Sequence, residues 1–311
     1  ACRDFQTGKR LGQGYKQGRH VSCGATSEVY LGRAEGAGDA REVALKCMRG
    51  INAGVQRQIQ QEISTVFRCR AMYAEEVEDP ESQGHPNLVA YLDWFAGPNG
   101  LDREVYLVME FCPFGLADMI FVAGNLRGEY EKSLRGPSEA KSPWLFRFPE
   151  REVAQVLSEL LSALSFLNRH GMAHRDVKAE NILWAGAYKL ADFGTAARLE
   201  EPRRDECGTL WIMAPELLGR RVHGLSCDTW SLGVVLFEVS ALTKPFNSKE
   251  LLAYRNSSEA ALANSFWPFI CAQALAKSSS TKSLPLLRDA PRSPTKARPR
   301  SGRSDCSSRG V

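Results

Sequence analysis

The hydrophobic pattern in the first third of the chain predicts strands. Short stretches rich in β-branched residues occur there, and glycine-containing turns separate the first of them. The stretches lie around Val21, from Glu28 to Leu31, from Glu42 to Met48, from Leu88 to Phe95 and from Glu104 to Phe111. Because they follow one another closely, they predict a small antiparallel sheet.

Apolar residues at helical spacing predict helices between and after these strands. Val55 to Phe67 show this spacing, and Thr229 to Leu242 show it in the second half of the chain. The strongest pattern begins at Pro149 and ends at Gly171. Its apolar face consists of Val153, Val156, Leu157, Leu160, Leu161, Leu164 and Leu167.

Three segments show neither pattern. Residues 1–17 include several glycines and are interpreted as a flexible N-terminal segment. Residues 122–149 are polar and carry Gly, Pro and Lys, which predicts an irregular insertion. Residues 277–311 are rich in Ser, Pro and Arg, which is typical of a disordered tail.

Charge and cysteine content narrow the classes of function. The basic tail holds nine Lys or Arg and two Asp, so the rest of the chain has a net charge of −3 and predicts no nucleic-acid interface. The nine cysteines show no CxxC spacing, which predicts reduced thiols and a location in the cytoplasm or the nucleus. The longest apolar run, Trp230 to Leu242, is too short to predict a membrane span.

Candidate chemistry begins directly after the long amphipathic helix, in residues 174–181 with the sequence HRDVKAEN. Phosphoryl transfer to an alcohol requires a carboxylate that orients the hydroxyl and accepts its proton, and Asp176 suits this role. Lys178 can neutralise charge on the phosphoryl group, and Asn181 offers a hard oxygen ligand to Mg²⁺. Eleven residues after Asn181, Asp192 begins an Asp-Phe-Gly sequence and is a second candidate ligand for Mg²⁺.

These motifs, in this order and at this spacing, resemble those of the protein kinase superfamily over roughly residues 18–250. The resemblance implies that Lys46, within the sequence Val43-Ala44-Leu45-Lys46, holds the phosphates of ATP. It also implies a helical carboxylate as the partner of this lysine. Glu62 lies 16 residues after Lys46 in the predicted helix and is assigned to that role.

The resemblance also assigns the nucleotide pocket. The family's phosphate-covering loop aligns with residues 22–29, where Ser22 and Ser27 replace glycines and the central Gly24 is retained. Residues 107–112 resemble the connection between the two lobes, which contacts the adenine base. The full set of predicted nucleotide-binding residues is Val21, Ser22, Gly24, Ser27, Val29, Ala44, Lys46, Met109, Glu110 and Cys112.

Two further segments bear on the substrate and on support of the site. Residues 208–216 resemble the peptide platform of the family, and Thr209 together with Lys178 is the pattern of serine/threonine kinases. Asp228 matches an aspartate that holds the backbone of the catalytic loop. A small-molecule phosphotransferase of similar fold remains a competing interpretation, but the peptide platform disfavours it.

The resulting prediction is an α+β bilobal kinase fold that uses ATP and Mg²⁺ on protein substrates. Residues 18–111 form an N-lobe with a small antiparallel sheet and one helix. Residues 112–276 form a larger, mainly helical C-lobe, which is predicted to be incomplete because few helices are evident after Leu242. The predicted function is serine/threonine protein kinase. The alternative is a catalytically impaired pseudokinase or scaffold, which the serines at positions 22 and 27 favour.

Overall fold

The computed structural model describes residues 10–11, 14–24, 27–35, 41–50, 53–97, 104–133, 147–199, 207–218, 224–246 and 251. Its first half contains β1 (Arg10–Leu11), β2 (Tyr15–Cys23), β3 (Ser27–Ala34), β4 (Glu42–Arg49), α1 (Ala53–Glu76), β5 (Tyr91–Ala96) and β6 (Glu104–Glu110). Its second half contains β7 (Phe114–Gly115), α2 (Leu116–Ser133), α3 (Glu150–Arg169), β8 (Met172–Ala173), β9 (Ile182–Trp184), β10 (Tyr188–Leu190), β11 (Ala197–Arg198), α4 (Pro215–Leu218) and α5 (Cys227–Ala241). Short 3₁₀ helices span Ala179–Asn181 and Leu210–Ile212.

The strands of the first half form one antiparallel sheet in the order β1-β2-β3-β4-β6-β5. Strand β4 lies near the middle, where its central residues are almost entirely buried. Its register places Lys46 opposite Leu107 and Ala44 opposite Met109 on β6. A sheet of this kind with one long helix, followed by a mainly helical half, confirms the predicted α+β bilobal fold.

The N-terminal boundary of the sheet differs from the prediction. Residues 10–11 and 15–17 were assigned to a flexible segment, but they form β1 and the start of β2. Leu11 is buried, and the Tyr15 ring stacks on Phe95 with centroids 5.5 Å apart. These apolar contacts hold the segment on the outer face of the sheet. Gly14, with φ of +79°, makes the turn between the two strands.

Helix α1 crosses the other face of the sheet and is longer than the predicted Val55 to Phe67. Its buried apolar residues, Ile59, Val66 and Cys69, contact the same core as the sheet strands and α3. Glu62 lies on this buried face, although a carboxylate is costly to bury without a partner. The helix therefore points Glu62 into the interior, where its partner must lie.

The long helix α3 forms where its pattern predicted and packs against α5 and β10. Six of its residues are buried, including Val156, Leu160 and Phe166. Leu157 and Leu161 were predicted to belong to this buried face, but they are 36% and 41% exposed. Among the described residues, no helix combines the length and apolar character needed to cross a bilayer.

Helix α2 corrects the predicted insertion at residues 122–149. Residues 122–133 belong to this helix, and residues 134–146 lie outside the described part of the chain. The pattern failed here because the apolar residues of α2 do not gather on one buried face. Phe121, Val122 and Leu126 are 68%, 54% and 50% exposed, so no amphipathic signal marks the helix.

The two halves are joined along a seam of backbone hydrogen bonds. Leu190 N–H donates to Asn87 O and Val89 N–H donates to Leu190 O, each at 2.9 Å. The side-chain amide of Asn87 also donates to Tyr188 O. This seam fixes the segment before Asp192 against the first half.

A buried histidine beside this seam is expected to lower the stability of the folded protein at acid pH. His85 Nδ1 accepts the N–H of Asn87 at 3.1 Å, its Nε2 contacts Ser162, and its ring stacks on Phe166. Burial, with a smaller effect of Arg169, lowers the pKa of His85 from 6.5 to about 4. The unfolded chain therefore binds a proton more readily than the folded chain between these values, and stability decreases as pH falls below 6.5.

We expect the free energy of unfolding to decrease by about 2 kcal/mol between pH 7 and pH 5 through His85. The measurement is urea denaturation across this pH range. In His85→Asn, the Asn Oδ1 can still accept the Asn87 N–H but does not titrate, so the decrease should be smaller by that amount. An identical pH dependence in the variant and the wild type would contradict the assignment.

Candidate active site

Residues 174–181, which we call the catalytic loop after the family that they resemble, are held at their start by one buried aspartate on α5. Asp228 is 1% exposed, and its two carboxylate oxygens accept the N–H groups of His174 and Arg175, each at 2.7 Å. Arg175 has a φ of +66°, a backbone conformation that residues other than glycine rarely adopt. The two hydrogen bonds hold this strained turn, and the buried Asp176 follows it directly.

Asp176, Lys178 and Thr209 form a compact polar cluster. Lys178 Nζ lies 2.6 Å from Asp176 Oδ2 and 2.9 Å from Thr209 Oγ1. The Thr209 hydroxyl donates to Asp176 Oδ1 at 2.7 Å. A carboxylate held beside an ammonium and a hydroxyl is arranged to bind an incoming hydroxyl group and to accept its proton.

Asn181 connects this cluster with Asp192. Its side-chain amide donates to Asp176 O at 2.9 Å and to Asp176 Oδ2 at 3.2 Å, which leaves Oδ1 as the oxygen available to a ligand. Its backbone carbonyl accepts the N–H of Ala191 at 2.8 Å. This bond brings the residue before Asp192 next to Asn181, so the two candidate metal ligands lie in one region.

Lys46 bridges the two carboxylates that the sequence assigned to the site. Its Nζ lies 2.6 Å from Glu62 Oε1 and 2.8 Å from Asp192 Oδ1. Burial alone would lower the pKa of Lys46, but the charges of Glu62 and Asp192 raise it overall. The ammonium is therefore charged and is positioned between α1 and the Asp-Phe-Gly segment.

The backbone at Asp192 is fixed by contacts that the sequence did not predict. Its φ is +62°, and its N–H donates to the hydroxyl of Tyr91 at 3.2 Å. The next residue, Phe193, is buried between the rings of Tyr91 and His174, with centroid distances of 6.0 and 5.0 Å. The Asp192 side chain remains 46% exposed, so one carboxylate is held toward Lys46 and still accessible to a cation.

The predicted phosphate-covering loop forms the hairpin between β2 and β3. Ser22 pairs with Val29, and Gly24 N–H donates to Ser27 O at 2.7 Å. Neither serine has a positive φ, so neither position requires glycine. Val21 is 41% exposed. The serines at positions 22 and 27 are thus compatible with the hairpin.

The connection between the lobes follows β6. Both carboxylate oxygens of Glu110 bind Lys189, at 2.7 and 3.0 Å, and Oε1 also accepts the N–H of Ala90 at 2.7 Å. Both oxygens of the Glu110 carboxylate are therefore engaged in contacts within the protein. The backbone groups of this segment remain available to contact an adenine base. Met109 is buried opposite Ala44. Burial, and then the charge of Glu110, raise the pKa of Cys112 to about 12, so its thiol is protonated at neutral pH.

Gly208 lies where any side chain would overlap the backbone of the catalytic loop. Its φ is +89°, and a Cβ at this position would overlap Arg175 O and lie 3.5 Å from Asp176 Oδ1. Gly208→Ala should therefore displace the catalytic loop and reduce turnover more than tenfold. Gly186 is the matched control because its φ is +82° and nothing lies within 4 Å of its Cβ position.

Gly186→Ala separates the effect of a positive φ from the effect of the steric overlap that a Cβ at position 208 would cause. Gly186→Ala should lower stability by about 1 kcal/mol through its positive φ alone and retain its turnover. Initial rates and thermal denaturation of both variants check the prediction. Equal effects of the two substitutions on turnover would show that the contact between Gly208 and Arg175 has no role.

The structure brings together all the residues predicted to act on the phosphoryl group. Asp176, Lys178 and Asn181 lie in one cluster, and Lys46, Glu62 and Asp192 form the adjacent one. The sequence interpretation omitted Tyr91 from the site because no local motif surrounds it.

No group of three or more His, Cys, Asp or Glu residues arranged for a metal occurs in the described residues. The oxygens of Asn181 and Asp192 nevertheless suit Mg²⁺, which commonly takes few protein ligands together with phosphates and water.

Comparison with known families identifies the family of the chain. Residues 15–299 match the protein kinase domain family, which covers most of the chain. The chain belongs to the protein kinase family. The match extends past the predicted end of the kinase C-lobe at residue 276. It also removes the support for a small-molecule phosphotransferase.

The chain is also similar to several curated proteins. It is 30% identical to CBL-interacting serine/threonine-protein kinase 19 of Arabidopsis thaliana over 77% of this chain and 43% of the relative. It is 28% identical to Aurora kinase B of Mus musculus over 75% of this chain and 58% of the relative. A third relative is a putative serine/threonine-protein kinase A of Trypanosoma brucei brucei, with 28% identity over 74% of this chain and 47% of the relative. The chain therefore spans about half the length of these relatives.

Proposed function

We propose that this kinase transfers the γ-phosphoryl group of ATP, with Mg²⁺, to serine or threonine hydroxyls of other proteins. The observation that carries the proposal is the pair of adjoining clusters around Asp176 and Lys46. One cluster is arranged to receive a hydroxyl group, and the other presents an ammonium and an accessible carboxylate to a phosphate chain. The names of the relatives support the same class of reaction.

Each residue in the clusters has a role that follows from its contacts. Asp176 orients the acceptor hydroxyl and accepts its proton as the oxygen–phosphorus bond forms. Lys178, 2.6 Å from Asp176, reduces the negative charge at the reacting centre. Lys46 binds the phosphates and is held for this by Glu62. Asn181 and Asp192 would hold Mg²⁺, which would neutralise phosphate charge there. As the new bond forms, the bond between the γ-phosphorus and the β-phosphate oxygen breaks, and ADP leaves with that oxygen.

Specificity for serine and threonine is supported by Thr209. Its hydroxyl contacts both Asp176 and Lys178, so the start of the 208–216 segment lies at the reacting centre. A threonine at this position together with Lys178 is the pattern that resembles that of serine/threonine kinases, so we propose serine and threonine as acceptors.

The experiment is transfer from γ-labelled ATP to peptide pools that contain serine, threonine or tyrosine as the sole acceptor. We expect label on the serine and threonine pools in the presence of Mg²⁺ and none on the tyrosine pool. ATP binding without transfer to any pool would favour the pseudokinase alternative. The backbone at Ser22 and Ser27 argues against that alternative, because neither serine has a positive φ that would require glycine.

A further inference from the structure

The outer face of the sheet carries a row of charged side chains that connects its interior with the hairpin between β2 and β3. Arg49 Nη1 lies 2.6 Å from Glu28 Oε2 on β3, and Arg49 Nε lies 3.7 Å from Glu104 Oε1 on β6. Side chains alternate between the two faces of a strand, so Arg49 points away from the face that carries Lys46. Arg49 therefore connects three strands without lying in the nucleotide site.

The inner end of this row is fixed in the core of the sheet. Glu104 is 4% exposed, and its Oε1 accepts hydrogen bonds from the Tyr106 hydroxyl at 3.2 Å and from the Cys47 thiol at 3.4 Å. A buried carboxylate needs such donors and a nearby cation, which Arg49 provides. Glu104 thus holds the guanidinium of Arg49 against a rigid part of the fold.

The outer end of the row lies at the tip of the hairpin. Glu28 pairs with Cys23 in the ladder, directly before the bond from Gly24 N–H to Ser27 O that closes the tip. The Tyr30 hydroxyl donates to Glu28 Oε2 at 2.9 Å. This hydrogen bond, together with the charge of Arg49, lowers the pKa of Glu28, so its carboxylate is charged at neutral pH.

The tip of the hairpin has little apolar burial to hold it. Residues 21–24 are all exposed, whereas the central residues of β4 are buried. A two-stranded hairpin that extends beyond its core is only marginally stable in water. The ion pair between Glu28 and Arg49 is therefore well placed to tie the tip to the sheet.

We infer that Arg49 is a positioning residue for the nucleotide, which acts by holding Glu28 and so keeps the hairpin between β2 and β3 closed over the phosphates of ATP. The inference rests on the proposed function, because the hairpin is assigned to those phosphates. Arg49 itself lies on the opposite face of the sheet and does not contact the nucleotide.

The test compares the mobility of the hairpin with the affinity for ATP. In Arg49→Ala, hydrogen–deuterium exchange of the amides in residues 21–29 should become at least about threefold faster in the absence of nucleotide. KM for ATP, and Kd for N-methylanthraniloyl-ATP, should each rise about threefold to fivefold. The value of kcat and KM for the peptide should stay within about twofold, because Asp176 and Lys178 are unaffected.

Two further variants separate the ion pair from a general effect of charge. Glu28→Gln removes a negative charge, which by long-range electrostatics alone would strengthen ATP binding, but we expect the same rise in KM as in Arg49→Ala. Arg49→Lys keeps a cation beside the buried Glu104 and should restore part of the loss. Both variants retain a side chain of similar size, so they keep the test valid if Arg49→Ala fails to fold.

Arg169→Ala is the matched control. Arg169 Nη2 lies 2.6 Å from Glu76 Oε1, and these side chains are 55% and 37% exposed, close to the 54% and 31% of Arg49 and Glu28. This ion pair joins the ends of α1 and α3 and does not contact the hairpin. Its loss should leave both the exchange of residues 21–29 and KM for ATP unchanged.

Each outcome supports or overturns the inference. Unchanged exchange and unchanged KM for ATP in Arg49→Ala would overturn it and leave the proposed function intact. A higher KM in Arg49→Ala and in Arg169→Ala, with a lower KM in Glu28→Gln, would also overturn it and indicate a general effect of charge. Faster exchange and weaker binding of N-methylanthraniloyl-ATP in Arg49→Ala and Glu28→Gln, without phosphoryl transfer by the wild type, would support the inference and overturn the proposed function. Absence of nucleotide binding in the wild type would overturn both.

Discussion

Replacing Asp192 with Asn is expected to reduce phosphoryl transfer by roughly a hundred- to a thousandfold while leaving the fold intact. The carboxylate of Asp192 is 46% exposed and lies 2.8 Å from Lys46 Nζ. Burial raises the pKa of the Asp192 carboxyl, and the charge and hydrogen bond of Lys46 lower it. The net pKa is lowered, so Asp192 is charged at neutral pH. The amide of Asn has the same shape but lacks the negative charge that a divalent cation requires.

The folded structure should tolerate this change. Lys46 retains its 2.6 Å contact with Glu62, and the Asn oxygen can still accept the Gly194 N–H that Asp192 accepts at 3.4 Å. The backbone bond from residue 192 to the Tyr91 hydroxyl does not depend on the side chain. Thermal denaturation should therefore show a small change beside the large change in turnover.

The measurement is the initial rate with γ-labelled ATP over a series of Mg²⁺ concentrations, with Glu81→Gln as a surface control. The apparent Mg²⁺ requirement should increase in Asp192→Asn and stay unchanged in the control. Undiminished transfer by Asp192→Asn would mean that the observed label comes from a contaminating kinase or that this carboxylate does not bind the metal. Comparable losses in both variants would point to a general effect of charge.

Local motifs, through the family that they resemble, were sufficient for the fold class and for the parts of the site that carry a motif. The resemblance assigned Glu62, 16 residues after Lys46 in the predicted helix, as the partner of Lys46, and the two side chains meet at 2.6 Å. The order and spacing of Asp176, Asn181 and Asp192, which resemble the family's motifs, likewise predicted that they lie in one site. In each case the relevant signal lies within a short stretch of sequence.

The remaining features depend on contacts between distant residues. Tyr91 supports Asp192 from a position 101 residues earlier, and a tyrosine in a strand carries no mark of that role. Helix α2 was missed because its apolar residues Phe121, Val122 and Leu126 are exposed. Strand β1 was missed because its short length gives no periodic signal, and only packing of Leu11 reveals it.

Asp228→Ala is expected to destabilise the kinase by roughly 2–6 kcal/mol and to reduce turnover at least a hundredfold. The carboxylate accepts two buried N–H groups, from His174 and Arg175, and each would cost about 1–3 kcal/mol if left without a partner. Arg175 also has a positive φ that these bonds hold in place. The catalytic loop should then relax and move Asp176 away from Lys178.

Ser231→Ala provides a matched control on the same helix. Ser231 is 4% exposed, and its hydroxyl donates to Ile212 O at 2.8 Å and contacts Cys227 O at 3.2 Å. Its loss should cost about 1 kcal/mol and leave turnover near that of the wild type, because the two carbonyl groups hold no part of the catalytic loop. Urea denaturation and initial rates measure the two effects separately. Equal stability losses in Asp228→Ala and Ser231→Ala, with turnover retained in both, would show that the loop keeps its conformation without Asp228.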